Sequence, residues 1–211
     1  MPLAVSHPGV DLAATEACAC GYLPSLERLL TPERLEHSLG VRGTIANWHT
    51  CRGWIAPMLH DAARDVEASE LMALAAEGRV ELRYAYERHP LYLHAPVSAC
   101  LVSRDVEFAD RLILDAIAAH SFCGSGTGFH SPLGWCLRFA DLLSPIQEWE
   151  GMKRLRAVVY GSRMEEAALL QCHWLMEYLQ KLGMPVHPNL VRTHESLSTK
   201  VKMDEAFFER W

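Results

Sequence analysis

Apolar residues in this chain recur every three or four positions and nowhere alternate for long, so the pattern predicts helices and no sheet. Thr31-Pro32 offers an N-cap followed by proline at the first helical position, opening a helix expected to run to about Trp48. His37, Val41, Ile45 and Trp48 fall on one stripe of it, which puts an imidazole on the core-facing surface. Gly53 and Pro57 interrupt the next apolar segment. A proline inside a helix loses a hydrogen bond and clashes with the preceding turn, so the helix bearing His60 is expected to start or kink near Pro57. Ser69 is expected to cap a short helix to about Ala76, with Gly78 as its stop, and a further helix over roughly 92–104 begins beside His94 and Pro96.

The spacing of Phe108, Leu112, Ile113, Ala116 and Ile117 predicts a helix to His120, with His120 on the same apolar face. Residues 121–131 (SFCGSGTGFHS) have the composition of a phosphate cradle, but they follow a helix and lack the Gly-Lys-Ser/Thr ending of a P-loop. They read as a connection flanking a site. Ser131-Pro132 starts another helix, in which Leu133, Leu137 and Ala140 place Asp141 at the edge of the buried face. Ser162 and Glu165 suggest a capping box for a helix to about Leu182, ended by Gly183 and Pro185, and a last helix spans about 188–198. The expected fold class is all-α. Residues 1–22 are expected to form a loosely ordered extension, 23–198 one domain and 199–211 a C-terminal tail.

Composition narrows the function. A chain of 211 residues, 50% hydrophobic, is long enough for one sizeable core and short for two. Its net charge of -6 leaves no basic footprint for nucleic acid, so any phosphate ligand has to be met locally. The first basic residue is Arg28 and no apolar run approaches the roughly 18 residues of a membrane span, which predicts a cytoplasmic protein without a membrane partner. Seven scattered cysteines read as reduced, mostly packing thiols. Cys18 and Cys20 lack the second close pair that a structural zinc site needs.

The candidate chemistry lies in imidazoles and carboxylates. Separate predicted helices bring His37, the adjacent pair His60-Asp61, His120 and Asp141 to inward or edge positions, with His94 at the start of another. A lone buried imidazole is ordinary, since one hydrogen bond satisfies it. An ionised carboxylate in a core is not: Asp141 needs a cation or several donors, and no Lys or Arg sits at helical spacing on its inner side. Imidazole and carboxylate ligands without thiolate favour Fe, Mn, Co, Zn or Mg, and more than four ligands suggests two ions. Two ions sharing a carboxylate can polarise a phosphoryl oxygen together, which points to phosphoester or phosphoanhydride hydrolysis.

The order His37, then His60-Asp61, then Asp141 resembles the HD-domain metal-dependent phosphohydrolases, an all-α superfamily of helical bundles named for that pair. The segments EHSLGV (36–41), LHDAARD (59–65), LYLHAPVSACLV (91–102), LDAIAAH (114–120), RFADLLSP (138–145) and MPVHP (184–188) are similar to the YqeK-type branch, regarded as symmetrical diadenosine tetraphosphate hydrolases. The similarity covers roughly residues 23–198. It implies that His37, His60, Asp61, His94, His120 and Asp141 ligate two divalent ions, iron being the expected metal and Mn, Co, Zn or Mg the alternatives. Asp61 would bridge the ions, Arg64 would hold a phosphate where the family usually has lysine, and Asp65 would act behind the ligands or carry a proton. A metal-activated hydroxide would then cleave diadenosine tetraphosphate into two ADP. A nucleotide substrate is the implied partner, and a homodimer is allowed for. Two alternatives stay open: an HD-domain hydrolase of another nucleotide, such as a nucleoside monophosphate, and a nucleotide-binding regulator without turnover. The chain departs from the branch in a shorter interval between His37 and His60, in the glycine-rich loop after His120, and in Ser-Pro-Ile-Gln at 144–147 where Glu-Pro-x-Arg is common.

Overall fold

The computed structural model describes residues 21–45, 52–80, 90–121, 131–144, 151–161, 163–202, 204 and 207. Among them every regular element is helical and no strand occurs, so the fold is all-α. The chain groups into two compact units, Met1–Ile146 and Gln147–Trp211. The first contains α1 (Leu23–Leu29), α2 (Pro32–Ile45), α3 (Arg52–Leu59), α4 (Ala68–Glu77), α5 (His94–Asp105), α6 (Arg111–Ala119) and α7 (Pro132–Leu142), with a 3-10 turn at Pro90–Leu93 leading into α5. The second contains α8 (Met152–Gly161), α9 (Met164–Lys181) and α10 (Pro188–Ser198), in which α9 packs against both neighbours. No helix among the described residues is long and apolar enough to cross a membrane.

In the first unit the short helix α3 is central: it packs against α2, α5, α6 and α7. Sequence explains why. Its last turn, Ile55, Ala56, Met58 and Leu59, is buried on all sides, so it presents no polar face to water and is covered from several directions. Leu59 joins Val41 of α2, Ile113 and Ile117 of α6 and Leu137 of α7 in one apolar cluster. Each fully buried Leu or Ile there contributes about 1.5–3 kcal/mol relative to exposure, and truncating Leu59 to Ala would cost about 2–5 kcal/mol. The cluster clamps the C-terminal end of α3, and the chain segment carrying His60 and Asp61 leaves directly from that end.

Several expected boundaries are corrected. The helix near Pro57 does not start there but at Arg52. Pro57 lies inside α3, and His60 follows the helix in a turn. The helix after it begins at Ala68 with extended Glu67 as its N-cap and no side-chain cap bond, so Ser69 does not cap it. Gly78 does end this helix, but the left-handed residue is Arg79 (φ 53). Space is the reason for glycine at 78, since a Cβ there would lie 2.8 Å from Cys100 Sγ. The expected helix from Phe108 starts later, at Arg111, because the Asp110 carboxylate accepts from the backbone N–H groups of Leu112 and Ile113 and fixes the start. In the second unit Arg163 is the N-cap of α9, and the Glu166 carboxylate accepts from its backbone N–H. The pairing is one residue later than Ser162 with Glu165, and Ser162 lies outside the described residues. The expectations for 1–20, for 46–48 at the end of α2 and for the glycine-rich residues 122–130 also lie outside them.

Candidate metal centre

The six candidate ligands, scattered over more than a hundred positions, converge at one end of the first unit. His37 comes from the middle of α2, where Thr31 caps the helix by accepting from the Arg34 backbone N–H at 3.3 Å. His60 and Asp61 occupy the turn after α3. His94 is the first residue of α5, His120 the C-cap of α6, and Asp141 lies in the last turn of α7, whose N-cap Ser131 accepts from Gly134 N–H. His37, His60, Asp61, His94 and His120 are all buried. Asp141 is part-exposed, as its edge position predicts.

Asp61 sits between two sets of imidazoles. Its Oδ2 faces His37 Nε2 at 3.8 Å and His60 Nε2 at 3.6 Å. Its Oδ1 faces His94 Nε2 at 3.7 Å and His120 Nε2 at 3.4 Å. Asp141 Oδ1 lies 3.1 Å from His37 Nε2 and 3.8 Å from His60 Nε2, on the side of Oδ2. Ligand atoms about 2.1 Å from a common ion are separated by about 3.0–3.4 Å in octahedral or tetrahedral geometry; the 3.1 and 3.4 Å contacts lie in that range and the others, at 3.6–3.8 Å, are a few tenths of an ångström wider.

Two of the rings are aimed by backbone carbonyls. His60 Nδ1–H donates to Pro57 O at 2.6 Å, and His120 Nδ1–H donates to Ile117 O at 2.7 Å, so in the neutral rings both Nε2 lone pairs point into the cluster. Both carbonyls lie in the last turn of their helices, and Ile117 O also accepts from the His120 backbone N–H at 3.3 Å. His60 Nε2 is buried and has no hydrogen-bond partner. His94 Nε2 and His120 Nε2 face one another at 3.3 Å, a contact that requires a proton or a cation at the nitrogens. Burial by itself pushes His60 down, but the carboxylates of Asp61 and Asp141 outweigh it and raise the ring to about 9. Burial likewise pushes Asp61 up, and the facing imidazoles of His60 and His120 reverse this and hold it well below the usual carboxylate range. Asp141 is held low against its burial by His37 and His60. An orphaned buried nitrogen, facing nitrogens and two ionised carboxylates with no thiolate suit hard or borderline divalent ions.

The other two candidate residues fall differently. Arg64 is half-buried and binds the turn through its backbone N–H, which donates to Asp61 O at 2.9 Å. Among the described residues two guanidinium groups that the sequence pattern does not single out reach the cluster: buried Arg138, three residues before Asp141, donates to His120 O at 3.3 Å, and Arg34 meets the carboxylates. Arg34 Nη1 donates to Asp61 Oδ2 at 3.1 Å and Nη2 to Asp65 Oδ1 at 3.3 Å. Its position three residues before His37, one turn up the same helix face, is the sequence signal that could have found it.

Buried imidazoles and carboxylates gathered at the ends of packed helices form a cluster that could hold divalent ions. No family model matches the chain. It is 27% identical over 188 residues to the symmetrical bis(5'-nucleosyl)-tetraphosphatase of Bacillus subtilis (strain 168), an alignment covering 86% of this chain and 96% of that protein. It is 25% identical over 179 residues to the protein of the same name from Halalkalibacterium halodurans, covering 82% and 93%. Its fold matches the crystal structure of a predicted HD superfamily hydrolase involved in NAD metabolism from Clostridium acetobutylicum, with a TM-score of 0.76 and 23% identity over 88% of this chain and 98% of that one. The chain is thus similar in sequence to these hydrolases over most of its length and shares the fold of the HD superfamily structure.

Proposed function

We propose that this enzyme hydrolyses dinucleoside polyphosphates, cleaving diadenosine tetraphosphate symmetrically to two ADP at a two-ion centre held by His37, His60, Asp61, His94, His120 and Asp141. The observation that carries the two-ion reading is the division of the Asp61 carboxylate, with Oδ2 turned to His37 and His60 and Oδ1 to His94 and His120. A carboxylate so placed can serve two ions at once. Support for the substrate is the name shared by the two sequence relatives. We assign the HD domain to about residues 23–198.

When bound, two divalent ions, iron by expectation and Mn, Co, Zn or Mg otherwise, supply Lewis acidity and a nucleophilic water at neutral pH. The chain's residues do the rest. His60 and His120 are held by Pro57 O and Ile117 O in the tautomer that presents Nε2, so little reorganisation is needed to bind. Asp61 and Asp141 bring two negative charges, which only half-neutralise two divalent ions and leave a positive centre for a polyphosphate. Arg64, half-exposed just beyond Asp61, is assigned to a substrate phosphate, where its planar fork fits two oxygens. Water adds to one of the two inner phosphorus atoms, the central P–O–P bond breaks, and ADP carries away the bridging oxygen. We assign the enzyme to the cytoplasm, in keeping with its seven scattered cysteines; among the described residues Cys100, Cys136 and Cys172 are free.

A second reading, an HD-domain hydrolase of another nucleotide, draws on Ser144. This serine is fully buried where the branch commonly has glutamate, so the charge beside the site is altered. Product identification separates the two. With diadenosine tetraphosphate as substrate, two ADP and no AMP or ATP supports the proposal. AMP plus ATP, or no turnover of this substrate alongside turnover of a nucleoside monophosphate, removes it.

A further inference from the structure

Arg34 joins two carboxylates that the ligand set alone does not connect. One nitrogen of its fork donates to Asp61 Oδ2 at 3.1 Å and the other to Asp65 Oδ1 at 3.3 Å. Asp65 is held from its other oxygen by the Thr31 hydroxyl, which donates to Oδ2 at 2.9 Å. Thr31 is itself fixed, because its Oγ1 also caps α2 through the Arg34 backbone N–H. The result is a closed loop in which the N-terminus of α2 holds Asp65, and Asp65 and Arg34 hold each other.

Asp61 needs such a hold. A carboxylate turns readily about its last bond, since terminal torsions of this type are broad and two-fold. The imidazole nitrogens facing Asp61 stand at 3.4–3.8 Å, each farther than the Arg34 guanidinium. The Arg34 contact is the shortest polar contact on the carboxylate among the described residues. It occupies one lone pair of Oδ2 and leaves the other, and both of Oδ1, for the imidazole sides.

Resting on the two-ion reading above, we propose that Arg34 is a positioning residue, anchored by Thr31 and Asp65, that fixes the plane of the Asp61 carboxylate so that its two oxygens stay divided between the two imidazole pairs. Asp65, in this assignment, orients Arg34 and carries no proton to the substrate. Lysine cannot take the part: an ammonium keeps the charge but lacks the rigid fork that spans two carboxylates.

The test uses the full chain stripped of metal and titrated with Co²⁺, reading the affinity of each equivalent and the visible d–d spectrum, which reports coordination geometry. Arg34→Lys and Arg34→Ala should each weaken at least one Co²⁺ by ten-fold or more and change the spectrum, as loss of outer partners of metal ligands does. Asp65→Asn should move both readouts in the same direction by a smaller factor. A residue that only stabilised the fold would lower the melting temperature and leave the spectrum alone. Far-UV circular dichroism checks folding, and if Arg34→Ala does not fold, Arg34→Lys decides. Two Co²⁺ bound by folded Arg34→Lys with parent affinity and parent spectrum overturns the assignment. A parent chain that binds no Co²⁺ removes the two-ion reading and this inference with it, whereas two tightly bound Co²⁺ in both parent and variants removes this inference alone.

Discussion

Asp61→Asn is the perturbation that separates a bridging carboxylate from a buried polar residue. The change is isosteric, but an amide has one oxygen, and its NH₂ can only donate. Whichever way it turns, one imidazole pair faces a group that cannot ligate, so the variant is expected to hold at most one ion per chain and to lose turnover. The metal-stripped protein should also weaken. Attraction to Asp61 is the largest single contribution raising His60 from 6.5 to about 9 against its burial. Losing it should cost on the order of 1 kcal/mol or more near neutral pH, which for a chain of this size lowers Tm by about 2–4 °C per kcal/mol. Metal analysis after dialysis and thermal unfolding of the stripped protein read the two effects separately. Two retained ions together with an unchanged Tm would refute both the bridging role and the electrostatic account of His60.

Other outcomes follow from the same geometry. In the metal-stripped protein the stability due to His60, whose pKa is raised on folding, is fully present below about 6.5 and disappears as pH rises through about 9. The stability due to Asp61 and Asp141, whose pKa values are depressed, is fully present above the ordinary carboxylate range and is lost progressively as pH falls below it toward their depressed values, so denaturant unfolding across pH should show a maximum between the carboxylate range and about 6.5. Metal loading displaces the His60 proton, so apparent affinity should rise about ten-fold per pH unit from 7 to 9, and a flat profile in calorimetric titrations would count against His60 as a ligand. His94→Ala or His120→Ala should lower bound metal from about two ions toward one and cut turnover ten-fold or more, read by metal analysis and initial rates. Arg64→Ala should leave metal content intact and weaken substrate binding or turnover, and unchanged steady-state kinetics would take Arg64 out of the site.

What could be read from the sequence is what periodicity and caps encode. Thr31-Pro32 and Ser131-Pro132 are local signals, and both helices begin where those residues predict. The stripe that pairs His37 with Val41 correctly buries both. The position of His60 was less legible, because a proline can sit inside a short helix that many neighbours cover. Pro57 does so in α3, and its carbonyl then aims the His60 ring. Helix α8 was missed because its surface is mixed: Met152, Leu155 and Val158 are buried while Lys153, Arg154 and Arg156 are exposed. Arg34 was missed for a different reason. A lone arginine on a helix reads as solvated, and its two partners, Asp61 and Asp65, lie about thirty positions away, where only the packing of α3 against α2 reveals them.

The claim that bears most weight is that one carboxylate divides the cluster into two metal sites. Its most direct test is the number of divalent ions per chain in the parent protein, measured together with activity as metal is added back to the stripped enzyme. The account predicts two ions per chain, with full activity reached only at the second equivalent. A single ion sufficient for full activity, with His94→Ala and His120→Ala holding that same ion at parent affinity, would contradict it.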